Sequence, residues 1–431
     1  MLTRLQAPPY DGLAAHLPKP GGADAATVAT VRAILDDVRA RGDAAVREHT
    51  ARLDGVDLPP DEWEVPAAGW QEALGRIPAG LRAALELAVA RVRAYHEKQL
   101  ERGFLEHDAE GTTLGMRVTP LDRVGVYVPG GKAAYPSTVI MNVVPAVVAG
   151  VPEIVMVTPP RPRPGGTPDV VLAAAHLAGV SRLFRVGGAQ AIAALAYGTA
   201  TLPRVDKIVG PGNRFMTEAK RQVAGEGVVG IDMLAGPTEV LVIADDSADP
   251  RAVAADLIAQ AEHDEDACAW CVTTSARLAD ALPAELARQV ARAPRRAIVE
   301  RSLADHGVVV VVPDLDAAVE VANRRAAEHV EVLVGGDAWA VADRIRHAGA
   351  IFVGGTTPEP VGDYVAGPSH VLPTAGTARY VSPLGVYDFV KRTSVIAYSP
   401  ERLARDADHI IALAEAEGLA GHAAAVRLRG D

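Results

Sequence analysis

The sequence is short of cysteine, aromatic residues and positive charge, and each shortage removes a class of protein. Two cysteines in 431 residues cannot build a disulfide framework. Aromatics make up 4% of the chain, while Ala, Val and Gly are plentiful, which suits tightly packed α/β layers. The formal net charge is −11, and no Lys/Arg block is dense enough to follow a phosphate backbone, so nucleic acid is not an expected partner. The longest uncharged run, roughly 133–152, contains Pro136, Pro145, Pro152 and Asn142, which makes it a poor membrane span. The N-terminus M-L-T-R-L-Q-A-P-P-Y-D-G lacks the apolar segment of a secretory signal. The expectation is a soluble cytoplasmic protein without a membrane partner.

What is present is a long globular chain. At 431 residues, with 49% hydrophobic and 23% charged residues, it exceeds one ordinary core and predicts two main domains plus appendages. The first hundred residues read as mainly helical. Val28, Val31, Leu35 and Val38 recur at helical spacing before Gly42, and Leu81, Leu85, Val89 and Val92 mark a second helix. His49, His96 and His107 lie on or beside these segments and read as surface or capping residues.

From about residue 122, strands alternate with helices. V-G-V-Y-V (124–128), I-V-M-V (154–157), L-F-R-V (183–186) and K-I-V (207–209) form one series. V-L-V-I-A (240–244), C-A-W-C-V (268–272), V-V-V-V-V (308–312), V-L-V (332–334) and A-I-F-V (350–353) form another. This βαβ texture predicts an α/β fold with two Rossmann-like, doubly wound domains facing each other. After Pro383 the pattern is helical, with little sign of a third sheet. The amphipathic segment 401–417, with Leu403, Ile410 and Leu413, must pack on this chain or on a partner subunit.

Candidate chemistry falls in several places. The loops V-P-G-G-K (128–132), V-G-G-A-Q (186–190) and V-G-P-G-N-R (209–214) follow strands, where bare backbone N–H groups and a helix N-terminus favour an anion. None is G-x-G-x-x-G, so a nucleotide site and ordinary βα turns both stand. In A-Q-A-E-H-D-E-D-A-C-A-W-C (259–271), Gln260 and His263 share a helix face at i, i+3. His is a common zinc ligand and Gln a poor one, so this spacing also fits a plain helix end. Cys268 and Cys271 sit three apart on a strand and point to opposite faces, which argues against a redox pair. Glu328-His329 stands at a helix-to-strand corner, either aimed at a ligand or simply ending the helix. Asp363 and His370 occupy a Gly/Pro-rich loop, the kind of long loop that is often functional.

The motifs V-G-V-Y-V-P-G-G, V-G-G-A-Q-A-I-A-A, G-P-G-N, G-I-D-M-L-A-G-P-T-E, Q-A-E-H, A-E-H-V-E, G-D-Y-V-A-G-P-S-H-V-L-P-T and D-F-V-K-R-T-S-V occur in this order. Together, over about residues 25–425, they resemble histidinol dehydrogenase, the zinc enzyme that ends histidine biosynthesis. The resemblance implies a zinc ion held by Gln260, His263, Asp363 and His422, and a catalytic pair in which His329 is the general base and Glu328 activates water. It further implies a pocket for L-histidinol lined by Thr238, His370 and Glu417 together with Gln260, His263, His329, Asp363 and His422. NAD contacts fall on Tyr127, Gln190 and Asn213. The family is an intertwined homodimer, so Glu417 and His422 are expected to complete the partner's site. Residues 1–27 then form an arm, 28–126 and 239–383 a discontinuous first α/β domain, 127–238 a second, NAD-contacting domain, and 384–431 the tail. The family usually has Ser where this chain carries Thr238. The rival readings are a paralogous NAD-dependent dehydrogenase of another small alcohol such as a sulfonated diol, a zinc hydrolase, and a non-catalytic binding protein.

Overall fold

The computed structural model describes residues 2–13, 15–17, 23–130, 134–161 and 166–430. Gly131 and Lys132 of the first glycine loop lie outside the described residues. In chain order the strands are β1 (Thr3–Gln6), β2 (Phe104–His107), β3 (Thr112–Pro120), β4 (Arg123–Tyr127), β5 (Glu153–Val157), β6 (Arg182–Phe184) and β7 (Lys207–Val209). Then come β8 (Gly230–Ile231), β9 (Glu239–Ala244), β10 (Cys268–Thr273), β11 (Val308–Val311), β12 (His329–Leu333), β13 (Ala350–Val353) and β14 (Val390–Tyr398).

Two parallel sheets dominate, as the strand–helix texture predicts. One has the order β1-β11-β10-β9-β12-β13 and the other β6-β5-β4-β7-β8. Each is buried on both faces because successive side chains of a strand point opposite ways. In the larger sheet Leu241, Ile243, Trp270 and Val272 enter one core, and Val240, Val242, Ala269 and Cys271 enter the other. In the smaller sheet Val124, Val126 and Met156 face one core, and Tyr127, Val155 and Val157 face the other.

The helices divide between the sheets differently from the expected domain boundaries. The expectation grouped 28–126 with 239–383, but the early helices cover the smaller sheet. Helix Ala25–Arg41 packs on Gly188–Tyr197 and Arg214–Gly225, Ala67–Arg76 on Asp169–Ala178, and Ala79–His96 on Pro136–Ala149. Their apolar stripes complete cores that the short helices of the 127–238 segment leave open. The arm is also not free of the fold, because β1 adds to the larger sheet in parallel with β11. His96, expected at the surface, is wholly buried, and its Nδ1 lies 2.7 Å from the Val92 carbonyl oxygen.

A third sheet is present as well. β14 pairs antiparallel with β3 along its full length, and β3 pairs with β2. The helices Pro400–Ala416 and Ala420–Gly430 follow and pack chiefly on each other. Leu413, Leu428 and, on β14, Ile396 remain exposed. No helix among the described residues is long and apolar enough to cross a membrane.

Candidate functional site

Helix Leu315–Arg325 begins at an Asp314 cap, whose side chain accepts from Ala317 N–H. It ends where Ala326 takes a left-handed conformation, φ 49°. That turn delivers Glu328 and His329 to the amino end of β12, beside the start of β9. Both are buried. Glu328 Oε2 accepts from the Thr238 hydroxyl at 2.6 Å and from Glu239 N–H at 2.9 Å. Burial nevertheless pushes its carboxyl up to about 8, against the pull of those two donors. His329 Nδ1 sits 3.0 Å from the Glu239 carbonyl oxygen, so Nδ1 carries the proton and donates. Nε2 is left bare, buried and without a hydrogen-bond partner. Burial also lowers the His329 pKa, which favours the neutral ring.

The Q-A-E-H stretch meets this corner from the other side. Helix Pro250–Ala261 carries Gln260 in its last turn, where its side chain reaches Thr238, and His263 follows two residues past the helix end. Gln260 Nε2 donates to Thr238 Oγ1 at 2.7 Å and lies 3.3 Å from His263 Nδ1. The Gln260 Oε1 is buried and unpartnered. Glu328, Thr238, Gln260 and His263 thus form one connected row.

Asp363 and His370 arrive on the loop after β13. Asp363 lies in the short helix Pro360–Tyr364, and His370 Nδ1 donates to the Asp363 carbonyl oxygen at 3.1 Å. Ligand atoms of His263, Asp363 and Glu359 all lie within 4.8 Å of one another. Among the described residues this is the His/Cys/Asp/Glu group able to hold a metal. Glu359 has no place in the motif reading. Its signal was an acid four residues before Asp363, a spacing that shares a helix face, but the flanking Pro358 and Pro360 make the segment read as loop. The structure buries Glu359, sets its Oε1 4.0 Å from His329 Nε2, and ties its N–H to Glu331 Oε1 at 2.7 Å. Burial among neighbouring carboxylates holds its pKa well above the ordinary carboxylate range.

This cluster sits at the amino ends of β9, β10 and β12, not at the carboxyl edge where open α/β sheets usually bind ligands. The smaller sheet does follow that rule. At the carboxyl ends of β4 to β7, on the side where β7 departs from the order of β4, β5 and β6, lies a cleft of about 1020 Å³. Tyr127, Asn213, Pro159, Gly188 and Asp54 are among its lining residues. Gly210 closes tightly here: with φ 108°, an added Cβ would stand 2.2 Å from the Tyr127 carbonyl oxygen. Asn213 caps helix Arg214–Gly225, its Oδ1 accepting from Phe215 and Met216 N–H. Gln190 is wholly buried behind the lining residues, its Nε2 3.4 Å from both Thr50 Oγ1 and Asp54 Oδ2. The segment 232–238, ~7 residues and so at most ~25 Å when extended, joins this edge to the amino edge of the larger sheet.

Glu417, in the turn between the two tail helices, and His422, on the second of them, lie exposed and outside this chain's metal-capable group. Cys271 is buried and Cys268 partly so, and burial pushes their thiols up to about 12 and about 11, away from nucleophilic thiolates. Of the histidines in the N-terminal segments, His49 Nε2 lies 2.8 Å from Asp37 Oδ2, and His107 Nδ1 is 2.7 Å from the Thr113 hydroxyl.

The chain matches the family model for histidinol dehydrogenase over residues 18–430. It is 53% identical to the histidinol dehydrogenase of Aquifex aeolicus over 400 residues, covering 93% of this chain and 92% of that protein. It is 52% identical to that of Heliobacterium mobile over 406 residues, 94% of each. The crystal structure of histidinol dehydrogenase from Elizabethkingia anophelis superposes with a TM-score of 0.92 at 31% identity, covering 99% of this chain and 98% of that one. A likeness to betaine aldehyde dehydrogenase from Staphylococcus aureus, at TM-score 0.51 and 14% identity over 86% of this chain and 83% of that one, extends to the fold alone.

Proposed function

Because the chain belongs to the histidinol dehydrogenase family, we propose that it oxidises L-histidinol through L-histidinal to L-histidine with two NAD+. The observation that carries this reading is the connected row of Thr238, Glu328, Gln260 and His263 beside the bare Nε2 of His329. It offers two differently prepared proton acceptors at one place, as a two-stage oxidation requires.

A zinc ion suits the donors present. His263 and Asp363 converge, Gln260 presents a buried oxygen without a partner, and imidazole and carboxylate are ordinary zinc ligands. In this reading Gln260, His263, Asp363 and His422 of the partner subunit hold the metal. Glu359 stands close enough to share that role or to face it. When bound, zinc would supply a fixed positive charge to orient the amino alcohol, and NAD held against Tyr127 and Asn213 in the cleft would supply the hydride-accepting chemistry of each stage. Gln190 stiffens that cleft from behind.

The protein's own groups manage the protons. His329 Nε2 takes the alcohol proton as the carbinol C–H leaves as hydride, giving the aldehyde. Glu328 then takes a proton from water, the hydroxyl adds to the aldehyde carbon, and the hydrated carbon loses the second hydride to yield the carboxylate. Two NADH and three protons are released for each histidinol and one water consumed. The water activated by Glu328, itself held by Thr238 and Glu239, takes the place that a thiolate nucleophile occupies in enzymes with an active-site cysteine. His370 lines the pocket, and Glu417 of the partner subunit suits the substrate ammonium. The exposed apolar residues of β14 and the tail helices fit a homodimer in which each tail completes the other site.

Zinc-loaded protein given limiting L-histidinol and excess NAD tests the reading by NADH counted per histidinol. Two NADH with histidine as product is the expected result. One NADH with accumulated aldehyde would remove Glu328 from its role, and none would pass the scaffold to a different alcohol.

A further inference from the structure

Glu239, next to Thr238, carries no role in the motif reading, yet it touches both members of the catalytic corner. Its N–H donates to Glu328 Oε2 at 2.9 Å, and its carbonyl oxygen accepts from His329 Nδ1 at 3.0 Å. Its carboxylate turns inward and is buried. There Oε1 lies 3.0 Å from Arg325 Nη2 and accepts from Ala375 N–H at 3.1 Å. Arg325 is equally buried, with its guanidinium carbon 5.1 Å from the centre of the Trp270 ring.

The two residues join the elements that make the corner. Arg325 is the last residue of helix Leu315–Arg325, three before Glu328, and Glu239 opens β9. The pair therefore fastens the helix end that delivers Glu328 and His329 to the strand that receives them. It is also incompletely satisfied, because Glu239 Oε2 and Arg325 Nη1 are buried without partners. Apolar residues of similar volume often stabilise such a place as well or better, so stability alone is a poor reason for the pair.

We infer that the Glu239–Arg325 ion pair is a positioning device. It fixes the Glu239 backbone so that its carbonyl holds His329 as the Nδ1–H tautomer, with Nε2 bare toward the site, while its N–H aims the Glu328 carboxylate. Glu239 and Arg325 act through the dyad and touch neither substrate nor cofactor. The inference rests on the proposed roles of Glu328 and His329.

The test compares zinc-loaded, full-length wild type with R325K and the charge-free double variant E239Q/R325M, which leaves no unpaired buried charge to unfold the chain. The double variant is expected to lose ~10- to 100-fold in kcat for both oxidation stages, since small misplacements of reacting groups cost about that much. KM for L-histidinol should stay within ~3-fold, because only ground-state binding sets it when chemistry is slow, and R325K should recover most of kcat. In its crystal structure the double variant is expected to show His329 Nδ1 off the residue-239 carbonyl and the Glu328 carboxylate turned. Wild-type kcat in the double variant, or an undisplaced dyad in its structure, overturns the inference. A wild type that makes no NADH overturns the proposed function instead, and the position of the dyad in the double variant still decides this inference.

Discussion

Thr238 offers a sharp test of how Glu328 is prepared for its proposed role. Its hydroxyl is fully engaged, donating to Glu328 Oε2 at 2.6 Å and accepting from Gln260 Nε2 at 2.7 Å. Thr238→Val keeps the shape and removes the oxygen, while Thr238→Ser keeps the oxygen and removes a methyl. A hydrogen bond to a charged group contributes ~1.5–3 kcal/mol. With tenfold in rate for each ~1.4 kcal/mol, Thr238→Val should slow the aldehyde-to-acid stage by ~10- to 100-fold. Part of the loss should act through protonation. The hydroxyl stabilises the carboxylate form of Glu328, so removing it moves the pKa up and shifts the rising limb of the second stage to higher pH. The deficit should therefore be largest at low pH and shrink as pH rises.

The assay is stopped-flow NADH formation from L-histidinol and, separately, from L-histidinal, at saturating zinc over a range of pH. Thr238→Ser should track wild type in both stages. If Thr238→Val behaves like Thr238→Ser in the second stage, or slows alcohol oxidation just as much, the hydroxyl does not prepare Glu328 and the reasoning fails.

Three further outcomes follow. Glu328→Gln should stop after one NADH, with aldehyde detectable by a carbonyl reagent; two NADH would show that another base serves. Chains carrying His263→Ala and His422→Ala, each inactive alone, should regain ~a quarter of wild-type activity when refolded together at equal amounts, because half the dimers are mixed and each holds one intact site. No recovery would confine His422 to its own chain. Cys268→Ala should leave both stages within ~2-fold of wild type, since a thiol pushed up to about 11 offers little thiolate at neutral pH; loss of the second stage alone would restore cysteine chemistry to the mechanism.

How far the chain could be read without its structure depended on how local each feature is. Strands β4 to β7 and β9 to β12 appear as short apolar runs because their side chains are largely buried on both faces, and the edge strand β13 keeps the apolar run A-I-F-V although Ile351 is exposed. The corner at Glu328-His329 is legible because an Asp cap, an Arg-rich last turn and a following Val-rich run lie within twenty residues. β14 gave no such signal. Nearly all of it is half or fully exposed, so no buried face imposes an alternating pattern, and the stretch passed as part of a helical tail. β1, four residues with none buried, was silent for the same reason.

The sequence by itself determined the two parallel sheets, the identity of the motif-bearing side chains and the family they signal, because these depend on periodicity and residue type along the chain. Only the tertiary structure decided that the early helices cover the smaller sheet, that the site lies at the amino ends of β9 and β12, and that Glu359 and the Glu239–Arg325 pair belong to it. Glu239 meets Glu328 across 89 residues and Ala375 across 136. A buried charge is tolerated only where folding supplies a partner, and nothing near Glu239 or Glu359 in the chain announces the partner that folding brings.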